Sequence, residues 1–157
     1  MGKVLSWEEL AEALEERRRS GERIVSTNGV FDVLHVGHVR YLQAARALGD
    51  LLVIGVNSDA CTRRLKGETR PFVPQDERAE MLAALACVDY VSLFDEPTPE
   101  TFLEVVRPHL HVKGGDYDVD KMPETPVVRR YGGEVVAIPF VVGRSTTNLV
   151  ERIRESL

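Results

Sequence analysis

Short, largely apolar runs return at regular intervals along this chain, separated by longer stretches with helical character. Leu51-Leu52-Val53-Ile54-Gly55-Val56 contains no polar side chain, Tyr90-Val91-Ser92-Leu93-Phe94 is nearly as apolar, and Ile24-Val25-Ser26-Thr27 reads as a short buried strand. His109–Lys113 and Glu134–Phe140 complete a set of five predicted strands. Helices are predicted at Gly37–Leu48, Gln75–Ala86, Thr98–Val106 (capped by Thr98), Pro126–Tyr131 and Thr146–Ser156. Strands that are apolar on both faces belong in a parallel sheet covered by helices on each side. The pattern therefore predicts an α/β fold with a five-stranded parallel sheet.

A further helix precedes the first strand. Ser6-Trp7-Glu8-Glu9 is a capping box, Leu10 and Leu14 share a face, and Ser20-Gly21 ends the helix. Arg17-Arg18-Arg19 lies among Glu15, Glu16 and Glu22 and reads as a solvated helix end. Trp7 reads as a packing anchor. The expected organisation is one domain over 1–157, with 1–21 an N-terminal helix and 22–157 the core.

Charge and composition exclude several classes. With 20 Lys+Arg against 25 Asp+Glu, net charge −5, no bulk positive field attracts nucleic acid. The longest uncharged run, Val135–Gly143, is nine residues, less than half the ~20 that span a bilayer. Trp7-Glu8-Glu9 interrupts any signal-peptide core, and the two cysteines, Cys61 and Cys87, form neither a disulfide framework nor a zinc pattern. A reducing cytoplasm is the expected compartment. The opening Met-Gly-Lys-Val-Leu-Ser matches a myristoylation pattern, but Ser6 is explained more simply as a helix cap.

In an open parallel sheet ligands bind beyond the C-terminal strand ends. The loops there are Thr27–Gly37, Asn57–Gln75, Phe94–Thr98, Lys113–Thr125 and Pro139–Asn148. In the first, His35 and His38 bracket Gly37 where a helix begins; three residues apart, they project the same way. A helix N-terminus offers free N–H groups and positive potential, so a phosphate cradle with two imidazole donors is one reading. Polar helix-start residues are the other, and a metal site would need more ligands than two. His109 and His111, alternating along a strand, read as sheet-face residues, and the cysteines as small hydrophobes.

Thr27-Asn28-Gly29-Val30-Phe31-Asp32 followed by His35-Val36-Gly37-His38 resembles the HxGH signature of the cytidylyltransferase-like nucleotidyltransferases. Leu48-Gly49-Asp50, Asn57-Ser58-Asp59, Lys66-Gly67-Glu68-Thr69-Arg70-Pro71, Arg78, Lys113-Gly114-Gly115-Asp116-Tyr117 and Ser145-Thr146-Thr147-Asn148 extend the resemblance from Arg23 to Ile153. It implies a Rossmann-like, doubly wound sheet and transfer of a nucleotidyl group to a phosphate acceptor with release of pyrophosphate. The branch most resembled is that of the heptose 1-phosphate adenylyltransferases. This implies ATP and a sugar phosphate, D-glycero-D-manno-heptose 1-phosphate, as substrates and ADP-heptose as product. The alternative is CTP with glycerol 3-phosphate or another polyol phosphate. In that branch an arginine stands where this chain has Phe140. A non-catalytic nucleotide-binding module and a synthetase-like fragment are the remaining alternatives; a homodimer is possible for a small sheet of this type.

The resemblance implies catalytic roles for His35, His38 and Lys66, the last in the loop after the second strand. It implies nucleotide contacts from Asn28, Gly29, Phe31, Asp32, Gly37, Lys113, Gly115, Asp116, Ser145, Thr146 and Thr147. Arg70 and Arg78 become candidates for a substrate phosphate. Simpler roles compete: Lys66 as a solvated lysine, Arg78 in a salt bridge with Asp76 or Glu80, Asp116 as a turn residue and Ser145 as a helix cap. Mg²⁺ is expected on the triphosphate, with no dedicated protein metal site. Asp118–Pro126, with three carboxylates and two prolines, reads as a lid or a variable loop.

Overall fold

The computed structural model describes all 157 residues. All pairings in the sheet are parallel. Its strands are β1 (Lys3–Val4), β2 (Ile24–Gly29), β3 (Leu51–Asn57), β4 (Tyr90–Phe94), β5 (Leu110–Gly114) and β6 (Glu134–Ile138). The spatial order is β1-β4-β3-β2-β5-β6. The five expected strands are therefore joined by a sixth. β1 is a two-residue edge element registered on Tyr90 and Val91. Two residues carry no hydrophobic period, so its existence depends on the neighbouring edge.

The helices are α1 (Trp7–Arg19), α2 (Val36–Arg46), α3 (Asp59–Lys66), α4 (Gln75–Ala83), α5 (Glu100–Val106), α6 (Thr125–Arg130) and α7 (Thr146–Glu155). α3 occupies sequence read above as loop. It is capped by the Ser58 hydroxyl on Cys61 N–H, and it buries only Cys61 and Thr62 of its eight residues. So short an amphipathic stripe gives little periodic signal. α5 starts at Glu100, with Pro99 rather than Thr98 at its N-cap.

Two apolar layers flank the sheet. Val25, Leu52, Ile54, Val91 and Val112 pack with Leu42 and Ala45 of α2 and Ala79 and Leu82 of α4. Ile24, Leu51, Val53 and Phe94 face Leu10 and Leu14 of α1, Phe102, Leu103 and Val106 of α5, and Val127 and Val128 of α6. α1 begins with the expected capping box, and Trp7 packs on this layer with Nε1 donating to Leu93 O at 2.9 Å. His111 is wholly buried, paired through Nδ1 with Ser26 Oγ at 2.8 Å, and His109 Nδ1 accepts Ile24 N–H at 2.9 Å. No helix is long and apolar enough to cross a membrane.

Because β2 pairs with β3 on one side and β5 on the other, the order of connection reverses between β2 and β5. That switch point opens a crevice beyond their carboxyl ends, at Asn28-Gly29 and Lys113-Gly114.

Candidate active site

The loop from β2 to α2 is locally strained. Phe31 and Val33 have φ of 51° and 55°, left-handed values that are rare for an aromatic and a β-branched residue. Asp32 between them holds the loop in place. Its carboxylate accepts Phe72 N–H at 2.9 Å, Val73 N–H at 3.0 Å and Arg70 Nε at 2.8 Å. Burial alone would raise its pKa, but these donors hold it below the ordinary carboxylate range. The Asp32 carbonyl accepts the Thr146 hydroxyl at 3.0 Å, which ties this loop to the start of α7.

His35 is the N-cap of α2. Its Nδ1 accepts Gly37 N–H at 3.1 Å, while His38 Nδ1 accepts His35 N–H at 3.4 Å. Each ring therefore carries its proton on Nε2. The imidazoles stack with centroids 4.0 Å apart, and both line one cavity. Gly37 is required here, because a Cβ would lie 2.8 Å from the His35 ring and 3.1 Å from Arg144 Cβ. Burial, then the neighbouring His35, lowers the His38 pKa to about 4; burial and then Arg144 lower that of His35. Both rings are thus neutral donors near pH 7.

These shifts predict an acid-labile window. His38 titrates near 4 and His111 near 3 when folded, the latter through burial and then Lys113, against an unfolded value of 6.5. Below 6.5 the unfolded chain binds more protons, so stability falls as pH falls and is fully present above that value. Urea midpoints should be level at pH 7–8 and decline from about pH 6.5 to 5, before most carboxylates titrate. Level midpoints across that interval would contradict the assigned shifts.

The cavity, about 960 Å³, is also lined by Asn28, Gly29, Phe31, Gly37, Lys66, Lys113, Ser145, Thr146 and Thr147. Ser145 caps α7 through Asn148 N–H, so two helix N-termini meet at this space. Lys66 is not in a loop but is the exposed last residue of α3, on the cavity rim.

Asp32, Arg70, Arg78, Gly115 and Asp116 are not among the lining residues. The Asp32 carboxylate is only 1% exposed and faces the 70–73 loop. Arg70 lies on Asp32 and 4.6 Å above the Phe72 ring. Asp116 is exposed. Gly115 is a buried support at φ 129°, where a Cβ would come within 2.7 Å of Tyr117. Arg78 departs most from expectation. Its guanidinium is 1% exposed and donates to Val73 O, Val30 O, Asn57 O and Asp59 Oδ1 at 2.6–2.9 Å. Neither Asp76 nor Glu80 is its partner.

The structure adds residues that motif reasoning passed over. Tyr41, three positions after His38, lines the cavity and bonds Thr27 Oγ1 at 2.7 Å and Val112 O at 3.0 Å. Burial pushes its phenol up to about 12, so it braces the switch point as a neutral group. Helical spacing from His38 was the available signal. Arg144, immediately before the α7 cap, also lines the cavity, as do Tyr117 and Phe140. No group of three or more His, Cys, Asp or Glu side chains is placed to hold a metal ion.

The cytidylyltransferase-like family model matches residues 26–152. The bifunctional protein HldE of Geobacter sulfurreducens is 56% identical over 151 residues, covering 96% of this chain and 31% of that protein. The HldE protein of Syntrophotalea carbinolica is 55% identical, with the same coverage. The chain thus spans about a third of the length of these curated relatives. Among solved structures, a lipopolysaccharide core biosynthesis protein from Thermoplasma volcanium superposes with a TM-score of 0.64 at 30% identity, covering 77% of this chain and 98% of that one. Pantoate-beta-alanine ligase from Francisella tularensis, at 11% identity and a TM-score of 0.61, shares the fold over 94% of this chain and 69% of its own. Profile, sequence and structure agree with the paired histidines at the switch point: the chain belongs to the cytidylyltransferase-like family of nucleotidyltransferases.

Proposed function

We propose that this chain transfers AMP from ATP to a sugar phosphate, D-glycero-D-manno-heptose 1-phosphate, giving ADP-heptose and pyrophosphate. The observation that carries the transfer reading is the stacked pair of neutral imidazoles at the start of α2, sharing one cavity with the start of α7. An anionic oxygen of the acceptor phosphate attacks the α-phosphorus in line. The new O–P bond forms as the bond to the β-phosphate oxygen breaks, and that oxygen leaves with pyrophosphate. No protein base is needed, because the attacking oxygen is already deprotonated. The residues' work is to position two polyanions and stabilise charge at phosphorus. The Nε2–H groups of His35 and His38 donate to the α- and β-phosphate oxygens. Lys66, Arg144 and the N–H groups opening α7 hold the β- and γ-phosphates.

Mg²⁺ bound to the triphosphate would offset part of its charge. It would arrive on the nucleotide's own oxygens, since the Asp32 carboxylate is occupied by three donors. The heptose acceptor is supported by the similarity to HldE proteins and by the lipopolysaccharide core relative. A pyrophosphate-release assay crossing ATP, CTP, GTP and UTP with heptose 1-phosphates and glycerol 3-phosphate tests the reading. Release above background for none of the pairs would overturn it and leave a nucleotide-binding module.

The same assay tests base choice. Phe140 stands at the cavity rim, 67% exposed, where the cytidylyl branch has an arginine, and a phenyl ring donates no hydrogen bond. At an exposed rim water can take the missing donor's place, so a cytosine carbonyl left without the arginine loses only the net worth of one hydrogen bond, about 0.5–1 kcal/mol or roughly 2- to 5-fold. kcat/KM should favour ATP over CTP by a factor in that range. Equal or better turnover with CTP and the same acceptor would instead promote glycerol 3-phosphate as the natural acceptor.

A further inference from the structure

Three cationic side chains line the cavity, Lys66, Lys113 and Arg144, and they are not equivalent. Lys66 and Arg144 are exposed and stand in no ion pair. Lys113, at the end of β5, lies 2.8 Å from Glu124 Oε1, with the two side chains only 19% and 5% exposed. Its ammonium also donates, at 3.3 Å, to Asn28 Oδ1 at the end of β2. Asn28 also faces the cavity. Glu124 is the N-cap residue of α6 but makes no capping bond; its carboxylate goes to Lys113 instead.

Burying a carboxylate is unfavourable unless a partner neutralises it, and the neutralisation is mutual. A phosphate approaching Lys113 meets an ammonium whose charge is compensated at 2.8 Å, whereas Lys66 and Arg144 keep their full attraction. A neutral hydroxyl has different needs. It requires a directed N–H and an acceptor close by, and net charge adds little. The ammonium has three N–H groups; one is given to Asn28, Glu124 lies against it as an ion pair, and a donor remains for the cavity that Lys113 lines. Asn28 can present its amide donors beside it.

We infer that Lys113, neutralised by Glu124 and aligned by Asn28, reads sugar hydroxyls and is not a phosphate ligand, with Glu124 as its positioning residue. The inference rests on the nucleotidyl-transfer reading of the cavity and adds a substrate contact to it. The shared chemistry is that of a vicinal diol, supplied either by the nucleotide ribose or by the acceptor sugar. It also gives Asp118–Pro126 a role, since this segment brings Glu124 to Lys113.

The test uses binding, so it reads out without turnover. Calorimetry on the full chain compares wild type, Glu124→Gln and the double variant K113M/E124M, which removes both charges together and avoids stranding either. The probes are tripolyphosphate, ATP, 2′,3′-dideoxy-ATP, heptose 1-phosphate and inorganic phosphate. In the double variant, Kd for tripolyphosphate and inorganic phosphate should stay within twofold. Kd should rise at least tenfold for ATP but not dideoxy-ATP if the ribose is the source, or for heptose 1-phosphate if the acceptor is. Glu124→Gln unmasks the ammonium and should tighten tripolyphosphate at least threefold. Tenfold weaker tripolyphosphate in the double variant would make Lys113 a phosphate ligand and overturn the inference. Unchanged affinity for every hydroxylated probe would reduce the pair to a loop tie, and unchanged or weaker tripolyphosphate in Glu124→Gln would also overturn it. A wild-type chain that binds these probes as expected but releases no pyrophosphate would overturn the transfer reading alone.

Discussion

Replacing either His35 or His38 by alanine should lower kcat by on the order of 10²–10³, while Kd for ATP changes by less than about tenfold. Each ring takes a backbone N–H at Nδ1, so each offers a fixed Nε2–H to the cavity. Burial keeps both imidazoles neutral, so they bring direction rather than charge to the resting triphosphate. Their value rises when negative charge builds on the five-coordinate phosphorus. On the proposed reading, ground-state affinity should come largely from Lys66, Arg144 and the start of α7, which the alanine variants retain. Because the rings stack at 4.0 Å and His38 accepts from the His35 backbone, the double variant should lose little more than either single one. Rapid-quench single-turnover kinetics with calorimetric ATP binding would separate the effects. Wild-type turnover in either variant would return that histidine to a capping role.

Arg78→Met should destabilise the fold by about 3–5 kcal/mol, the usual effect of removing one partner from a buried charged network. In a chain of this size that corresponds to a Tm lower by roughly 6–20 °C. The guanidinium joins the β2–α2 loop through Val30, the end of β3 through Asn57, the start of α3 through Asp59 and the loop before α4 through Val73. Methionine fills much of the volume but leaves the buried Asn57 carbonyl and the partly buried Val30 and Val73 carbonyls without this donor. Arg78→Lys should recover little, since one ammonium cannot reproduce a fork that reaches four acceptors. Thermal denaturation decides the matter. A near-wild-type Tm combined with a raised acceptor KM would show instead that Arg78 contacts a substrate phosphate.

The outcome at Arg78 marks the boundary between local and tertiary information. Its place at the start of a helix among acidic residues is visible in the sequence, and Asp76 or Glu80 was the natural partner. What burial required was three backbone carbonyls and one carboxylate; Val73 is only five positions away, but Val30, Asn57 and Asp59 lie 19–48 positions back, beyond the reach of any local spacing. The Asp32 carboxylate was likewise directed by residues 70–73, some forty positions away, rather than by a ligand. Lys113 found Glu124 through the path of a loop whose composition matched no motif.

The layered α/β architecture is already written in the order of residues. Apolar runs such as Leu51–Val56 can be satisfied only between two helical layers, and capping residues such as Ser6 and Ser145 act within one turn. The same order also determined the paired histidines, because their spacing and the intervening Gly37 are local properties of one helix start. The edge strand β1, the helix α3 and the division of polar residues between cavity and scaffold emerge only in the folded chain. Those depend on which strand edge is open and which buried carbonyl lacks a donor. Such needs arise only once distant segments have been brought together and water has been excluded between them.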